Sequence, residues 1–465
     1  MKKFFIVLII ILIVLLALIS LYYFYPRKIT KGSEIKGNFG FAGIYTDDSS
    51  LKTKNLNADS VRFEVWWEGF SNFDKNYDRI KKNQLEPIVN LRTKHSYKTQ
   101  CDKSLGEVKD NASCPPKDLV SDYDQYGYSK SYYKFVTSLL NHAYTTNRPI
   151  HYIIVENEVN TKGFWAGSSS DYLKERATVY KATQDFNEKN GTTIKIVDNG
   201  AADLAWSNAI IREKYCNNDT AQALSLAKNF MRRNVEKEIT LADLSSLINC
   251  QDPSREYQIV NDLFKPEAAF NGPSFDYMDY HFYLPYDTEK IVIDWIKNKM
   301  QQNGYQKPIW VGEGGFYDKV GTDENISEDL VKKHVIAFAN GVEKWIWYPL
   351  TETKDTNVSS TVYKGLYSNN NQELPQANVY KIMTSKLDNF QSAQEESVEE
   401  GVTLYKFMVQ DKEVFVAWAN EQTGVDLSKF MDENMRITKI NGVSGNIKSS
   451  EVILSQSPIF LEKTN

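Results

Sequence analysis

The chain has 465 residues, of which 42% are hydrophobic and 25% charged, with 23 Gly and 13 Pro. This composition excludes a disordered or fibrous protein and is sufficient for a large core. A net charge of −5 lacks the basic footprint of a nucleic-acid binder, and four Cys in this length exclude a disulfide-dense miniature scaffold.

Residues 4–25 carry no charge. An apolar run of this length spans a bilayer as a helix. It is longer than the apolar region of a cleaved signal peptide, and Ser20 with Leu18 two positions before it makes a poor cleavage site. The segment predicts an uncleaved signal anchor, with Tyr22, Tyr23, Phe24 and Tyr25 as interfacial aromatics. Lys2 and Lys3 precede the run and Arg27, Lys28 and Lys31 follow it, so charge alone does not orient it. The cysteines bear on the compartment. Cys101 and Cys114 share one polar stretch, Cys216 and Cys250 another, and neither pair has zinc spacing. Two local disulfides in surface loops are the economical reading and require an oxidising compartment; four unpaired thiols are the alternative. The expectation is a membrane-anchored protein whose body is extracytoplasmic.

After a linker to residue 36, short apolar runs alternate with amphipathic stretches. The predicted strands are 37–43, 60–67, 86–92, 149–156, 193–199, 275–283, 308–312 and 343–348. Helical spacing marks 132–144, 171–187, 289–300 and 328–340, with Asn190-Gly191 as a stop signal. Eight strands alternating with helices predict a parallel α/β fold closed as a (β/α)₈ TIM barrel. A doubly wound sheet would carry a Gly-rich phosphate turn after its first strand, and none is present. The barrel, residues 37–390, exceeds the usual length because of two insertions that hold the two cysteine pairs. From residue 391 to 465 the pattern alternates apolar and polar at 402–409, 413–418, 435–440, 451–454 and 458–461. That predicts a small C-terminal antiparallel β-sandwich, with residues 1–36 as anchor and linker.

Reactive groups of such barrels sit at the C-terminal strand ends. There the sequence places Arg62 before Trp66 and Trp67, then Glu156-Asn157-Glu158-Val159-Asn160, His281-Phe282-Tyr283, Gly312-Glu313-Gly314-Gly315 and Trp345-Ile346-Trp347-Tyr348. Carboxylates ending strands four and seven face each other across a barrel mouth. Such a pair serves glycoside hydrolysis: one group protonates the leaving oxygen and the other attacks the anomeric carbon or activates water. Arg62 would keep Glu313 charged, and Tyr283 would donate to the same carboxylate. Asn157 would bond a sugar hydroxyl, and Trp347 would supply an apolar floor. With 28 Tyr, 23 Phe and 9 Trp, the chain has aromatics to spare for sugar platforms, with Trp66, Trp67, Trp165, Trp206 and Phe316 as candidates. The five His form no tight cluster, so no metal is expected. A phosphate turn at 312–315 is disfavoured by the acidic Glu313.

This set resembles clan A of the glycoside hydrolases, the retaining (β/α)₈ enzymes, over residues 37–390. The resemblance makes Glu158 of Asn157-Glu158-Val159-Asn160 the acid/base and Glu313 the nucleophile. It carries Arg62, His281, Tyr283 and Trp347 over as substrate-binding residues, with Trp345 as a register alternative for Trp347. The tail is similar to the β-sandwich appended in β-xylosidase-like and exopolysaccharide-hydrolase-like families. Val159 stands where the family often has Pro, and Glu156 where it often has an aromatic or aliphatic residue. Glu156 either faces the pocket as a third carboxylate or faces the helices as a structural charge. The resemblance implies a poly- or oligosaccharide substrate and no cofactor. The alternatives are a catalytically silent sugar-binding barrel and a transglycosylase. A Schiff-base lyase would need a Lys ending an inner strand, and none is convincing.

Overall fold

The computed structural model describes residues 29–30, 37–43, 45–67, 71–94, 97–101, 104, 108–109, 112–231, 238–318, 323–354 and 362–464. The expected membrane span, residues 4–25, lies outside them. Among the described residues no helix is long and apolar enough to cross a membrane.

Eight parallel strands form one sheet: β1 (Phe39–Ala42), β2 (Ser60–Trp66), β3 (Glu86–Arg92), β4 (Tyr152–Val155), β5 (Lys195–Val197), β6 (Met278–Phe282), β7 (Ile309–Gly314) and β8 (Val342–Trp347). Their order is β5-β4-β3-β2-β1-β8-β7-β6, which is chain order run round a circle. Parallel bridges from Val197 to Tyr277 and from Ala201 to Tyr280 join the two ends. The predicted barrel is therefore present, and no strand bound lies more than two residues outside its predicted run.

Side-chain alternation divides the core in two. Ala42, Ile88, Tyr152, Ile154, Val197, Tyr277, Trp310 and Ile346 fill the barrel interior. Residues of the other parity, such as Phe41, Val89, Ile153 and Val311, pack outward in the larger core cluster. The outer layer includes α1 (Asp47–Asn55), α2 (Ser71–Lys82), α3 (Lys130–Thr145), α4 (Ser169–Asn190), α5 (Asp203–Cys216), α6 (Thr220–Met231), α7 (Leu241–Leu247), α8 (Arg255–Asp262), α9 (Glu289–Gln302), α10 (Asp323–Ala339) and α11 (Pro375–Leu387). Helix α4 shows why its sequence folds locally. Ser168 and Asp171 form a capping box, and Gly191 ends the helix with φ 65°, a conformation that suits glycine.

Both expected disulfides are formed, Cys101–Cys114 and Cys216–Cys250. The second lies in the long β5–β6 connection, whose helices α5 to α8 the sequence reading did not assign. The C-terminal strands are β9 (Phe390–Glu396), β10 (Val402–Val409), β11 (Lys412–Ala419), β12 (Asn434–Lys439), β13 (Ser444–Lys448) and β14 (Ile459–Lys463). With Ile29–Thr30 at one edge they form a single seven-stranded sheet. One face meets the barrel helices, with Phe390 against Phe338 at 5.1 Å between ring centroids. The other shares an apolar cluster with the short paired strands Thr423–Val425 and Val452–Leu454. The expected sandwich is thus one large sheet with a two-stranded ribbon against it.

Candidate active site

Arg62 is the hub of the barrel mouth. It shares the inward parity of Ser60 on β2 and is almost wholly buried. Nη1 donates to Gly312 O at 2.9 Å, and Nη2 donates to Asn90 Oδ1 at 2.9 Å and to Asn157 Oδ1. Nη1 also lies 3.2 Å from His281 Nε2 and 3.6 Å from Glu313 Oε2. One guanidinium therefore ties together the ends of β2, β3, β4, β6 and β7.

The turn after β4 carries Glu158. Glu156 and Glu158 hold left-handed backbone, with φ 66° and 42°. Non-glycine residues occupy that region only when their surroundings fix them. Here Thr161 N donates to Glu158 O at 2.8 Å, and Asn160 Oδ1 accepts from Ala202 N at 2.9 Å. Val159 N donates to Asn199 Oδ1 at 3.3 Å, a bond that Pro could not make. The departure at Val159 thus ties the turn to the end of β5.

Glu158 Oε1 lies 2.8 Å from His281 Nδ1. The Arg62 guanidinium can only donate, so the geometry makes His281 Nε2 the acceptor and leaves the proton on Nδ1. That N–H then donates to Glu158 Oε1. Burial keeps His281 neutral, lowering its pKa to about 3. Burial also pushes the Glu158 carboxyl up to about 7, against the pull of Arg62 and Arg92. The Glu158 carboxyl is therefore divided between its protonated and ionised forms near neutral pH.

Glu313 owes its aim to a β-bulge. Trp310 points inward, so simple alternation would put Gly312 inward and Glu313 outward. The pairing of β7 with β6 shifts register between Tyr280 and His281, where Val311 and then Glu313 are the partners. The extra residue turns Glu313 toward the mouth. Asp279 stabilises the bulge by accepting from Gly312 N at 2.5 Å. A Cβ on Gly312 would lie 2.0 Å from Asp279 Oδ2, so this position requires glycine. Tyr283 Oη donates to Glu313 Oε1 at 2.8 Å. Burial and the Glu313 charge both push the Tyr283 hydroxyl up, which keeps it a donor.

One ligand atom each from Glu158, His281 and Glu313 lies within 4.8 Å of the others. Side-chain exposure is 14% for Glu158 and 19% for Glu313, whereas His281 is sealed, so the two carboxyls are the groups a ligand can reach. The trio is compact enough for a cation, but the Arg62 guanidinium already supplies positive charge to it.

Other sequence expectations fare differently. Asn157 is buried, and its oxygen is taken by Arg62. Trp347 is fully buried and stacks on His334 of α10 at 5.8 Å between centroids. It has the outward parity of the strand and cannot floor a sugar site. Trp345 shares that fate, with His334 at 4.7 Å. The inward parity belongs to Ile346 and Tyr348, and Tyr348 is a partly open aromatic. Tyr363 bridges it to Tyr283, at 6.0 and 5.7 Å. Of the five other candidate platforms, Trp67, Trp165, Trp206 and Phe316 are buried and only Trp66 stays partly exposed. Glu64, which the sequence reading passed over, accepts from Arg92 Nη1 and Trp66 Nε1, both at 2.9 Å. Its inward parity, two residues beyond Arg62, was legible by counting. Glu156 does not enter the mouth; its carboxyl turns to Thr93 and to Glu175 of α4.

No family model and no curated protein matches the sequence. Solved structures do match the fold. A family 39 glycoside hydrolase from Bacteroides cellulosilyticus superposes with TM-score 0.56 at 11% identity, covering 92% of this chain and 81% of that one. A family 30 endoxylanase from Clostridium papyrosolvens gives 0.55 at 12% identity, covering 94% and 96%. A glucosidase from Croceicoccus marinus gives 0.53 at 8% identity, covering 94% and 98%. The fold is theirs. At these identities the likeness speaks to architecture alone.

Proposed function

We propose that this chain is a retaining glycoside hydrolase that cleaves O-glycosidic bonds of a poly- or oligosaccharide by double displacement. The observation that carries the reading is the approach of Glu158 and Glu313 carboxyl oxygens to within 4.8 Å. Retaining pairs stand about 5–5.5 Å apart, whereas inverting pairs need about 6.5–9.5 Å to admit water between them. The glycosidase names of the structural neighbours support the same class.

In this mechanism Glu313 attacks the anomeric carbon while Glu158 gives its proton to the leaving oxygen. Arg62 and Tyr283 hold the Glu313 charge before attack and receive it again on release. Water then enters, Glu158 takes its proton, and the glycosyl–Glu313 ester is cleaved. The burial that raises Glu158 supports its role as the acid, and the Arg62 guanidinium 3.6 Å from Glu313 supports the role of that carboxylate as the nucleophile. No step calls for a cofactor.

The two disulfides support an extracytoplasmic body. Anchoring by residues 4–25 rests on their sequence. The division into anchor and linker 1–36, barrel 37–390 and β-domain 391–465 rests on the sequence pattern; the pairing of Ile29–Thr30 with Ser392 and Ala393 assigns that short strand to the C-terminal sheet.

Reducing-sugar release by the full chain in detergent, on a broad glycan panel beside Glu313→Gln, tests the reading. Release by the wild type alone is expected. Binding without release by either protein would favour a silent sugar-binding barrel. Glycan elongation in place of release would favour a transglycosylase.

A further inference from the structure

Glu156 precedes the acid's turn but does not enter the mouth. It is completely buried. Oε1 accepts from Thr93 N at 2.6 Å and faces the Thr93 hydroxyl at 3.0 Å. Ser113, in the loop clipped by the Cys101–Cys114 disulfide, also bonds to this carboxyl. Oε2 lies 3.6 Å from Arg92 Nε, and Arg92 Nη1 is committed to Glu64. On its remaining side Glu156 is within hydrogen-bonding reach of Glu175, another completely buried carboxyl, on α4.

Two ionised carboxylates in that position would be intolerable. They would repel in a medium of low dielectric, and neither could donate to the other. With both ionised, Glu156 Oε2, Glu175 Oε1 and Glu175 Oε2 have no hydrogen-bond donor. A single proton between the carboxyls gives the facing oxygens a bond. Its location follows from the neighbours. Glu156 has the Thr93 amide and Arg92 to support a charge. Glu175 faces Glu156, the Tyr132 hydroxyl of α3 and, on its own helix, Asp171. Burial and the Glu156 charge push Glu175 well up. Glu175 is therefore the donor and Glu156 the acceptor.

We propose that Glu175 is a positioning residue for Glu158: its carboxyl proton holds Glu156 behind β4, and that hold fixes the left-handed turn that aims the acid. The linkage is short. The Glu156 carbonyl accepts from Asn90 Nδ2 at 3.2 Å, and Asn90 Oδ1 accepts from Arg62. Without Glu175 the Glu156 carboxyl keeps Thr93, Ser113 and Arg92 on one side and nothing on the other, which loosens the φ 66° residue two positions before Glu158. The inference rests on the acid role proposed for Glu158, and its test separates the two.

The variants are Glu175→Leu, which removes the donor (Glu175→Met should the leucine not fold), and Glu175→Gln, which keeps a neutral donor. The substrates are a phenyl and a dinitrophenyl glycoside of the sugar the protein cleaves. The phenyl leaving group needs the acid's proton and the dinitrophenyl group does not. Glu175→Leu is expected to lower kcat/KM about 10-fold or more on the phenyl glycoside and less than about 2-fold on the dinitrophenyl one. Glu175→Gln is expected to restore both. Equal losses on the two glycosides, or no loss on either, would overturn the positioning role. Infrared difference spectra of wild type minus Glu175→Gln test the pair without turnover. A protonated-carboxyl band that shifts in heavy water is expected, and its absence would overturn the shared proton. A wild type that cleaves neither glycoside would sink the functional reading, and the positioning role with it, while the band still decides on the pair.

Discussion

Gly312→Ala is the substitution whose effect follows most directly from the geometry. The added Cβ would stand 2.0 Å from Asp279 Oδ2 and 2.4 Å from Oδ1, where ordinary contact begins near 3.4 Å. The two groups must separate by roughly 1.4 Å to reach ordinary contact. Asp279 is completely buried and bonded to Gly312 N, so it cannot swing aside without losing that bond. The shift therefore falls on the bulge. The same residue's carbonyl accepts from Arg62, and the next residue is Glu313. A displacement of about 1 Å at a reacting group costs about 100-fold in rate. We expect kcat/KM to fall by about 100-fold or more, with a stability loss of about 1–3 kcal/mol from overpacking. Aryl glycoside kinetics measure the first, and thermal unfolding by circular dichroism the second. Gly312→Ala combined with Asp279→Ala removes the clash and is expected to recover part of the rate. A folded Gly312→Ala protein keeping more than a third of its activity would refute the link between bulge and nucleophile.

Three further outcomes follow from the site. Burial raises the Glu158 carboxyl to about 7, and the acid acts protonated, so kcat/KM on poor leaving groups should fall about tenfold per unit above that pH; an alkaline limb first appearing above about pH 9 would remove Glu158 from the acid role. Tyr283→Phe deletes a bond to a charged carboxylate, a loss of about 1.5–3 kcal/mol, so kcat/KM should drop roughly 10- to 150-fold with the fold intact; a change below threefold would discount that bond. Tyr348→Ala should raise KM by weakening sugar contact, whereas Trp347→Leu should lower the unfolding temperature and leave KM unchanged; the reverse pattern in kinetics and unfolding would return Trp347 to the sugar site.

The barrel was legible because each β strand is a short run of apolar residues bounded by turn signals, and because the runs alternate with helical stretches. The order Arg62, Asn157-Glu158, His281-x-Tyr283, Glu313 was legible because Arg62 lies on a strand and the others fall at or just after strand ends. What was hidden depends on parity and on distance along the chain. A motif match selected Trp347, but counting from Ile346 puts Tyr348 on the barrel axis. The same counting would have pointed Glu313 away from the mouth, since nothing local announces a bulge whose cause is Asp279 on the neighbouring strand. Glu175 lies on a helix after the turn it supports, and only the folded barrel brings it to Glu156. The helices α5 to α8 went unassigned because they lie in an insertion where no strand alternation frames them.

The central claim is double displacement through Glu313, and product stereochemistry tests it most directly. Proton NMR of the first sugar released, recorded before mutarotation, reports the anomeric configuration. Retention of the substrate's configuration is expected, in keeping with Glu158 and Glu313 oxygens within 4.8 Å of each other. A first product of opposite configuration would contradict it.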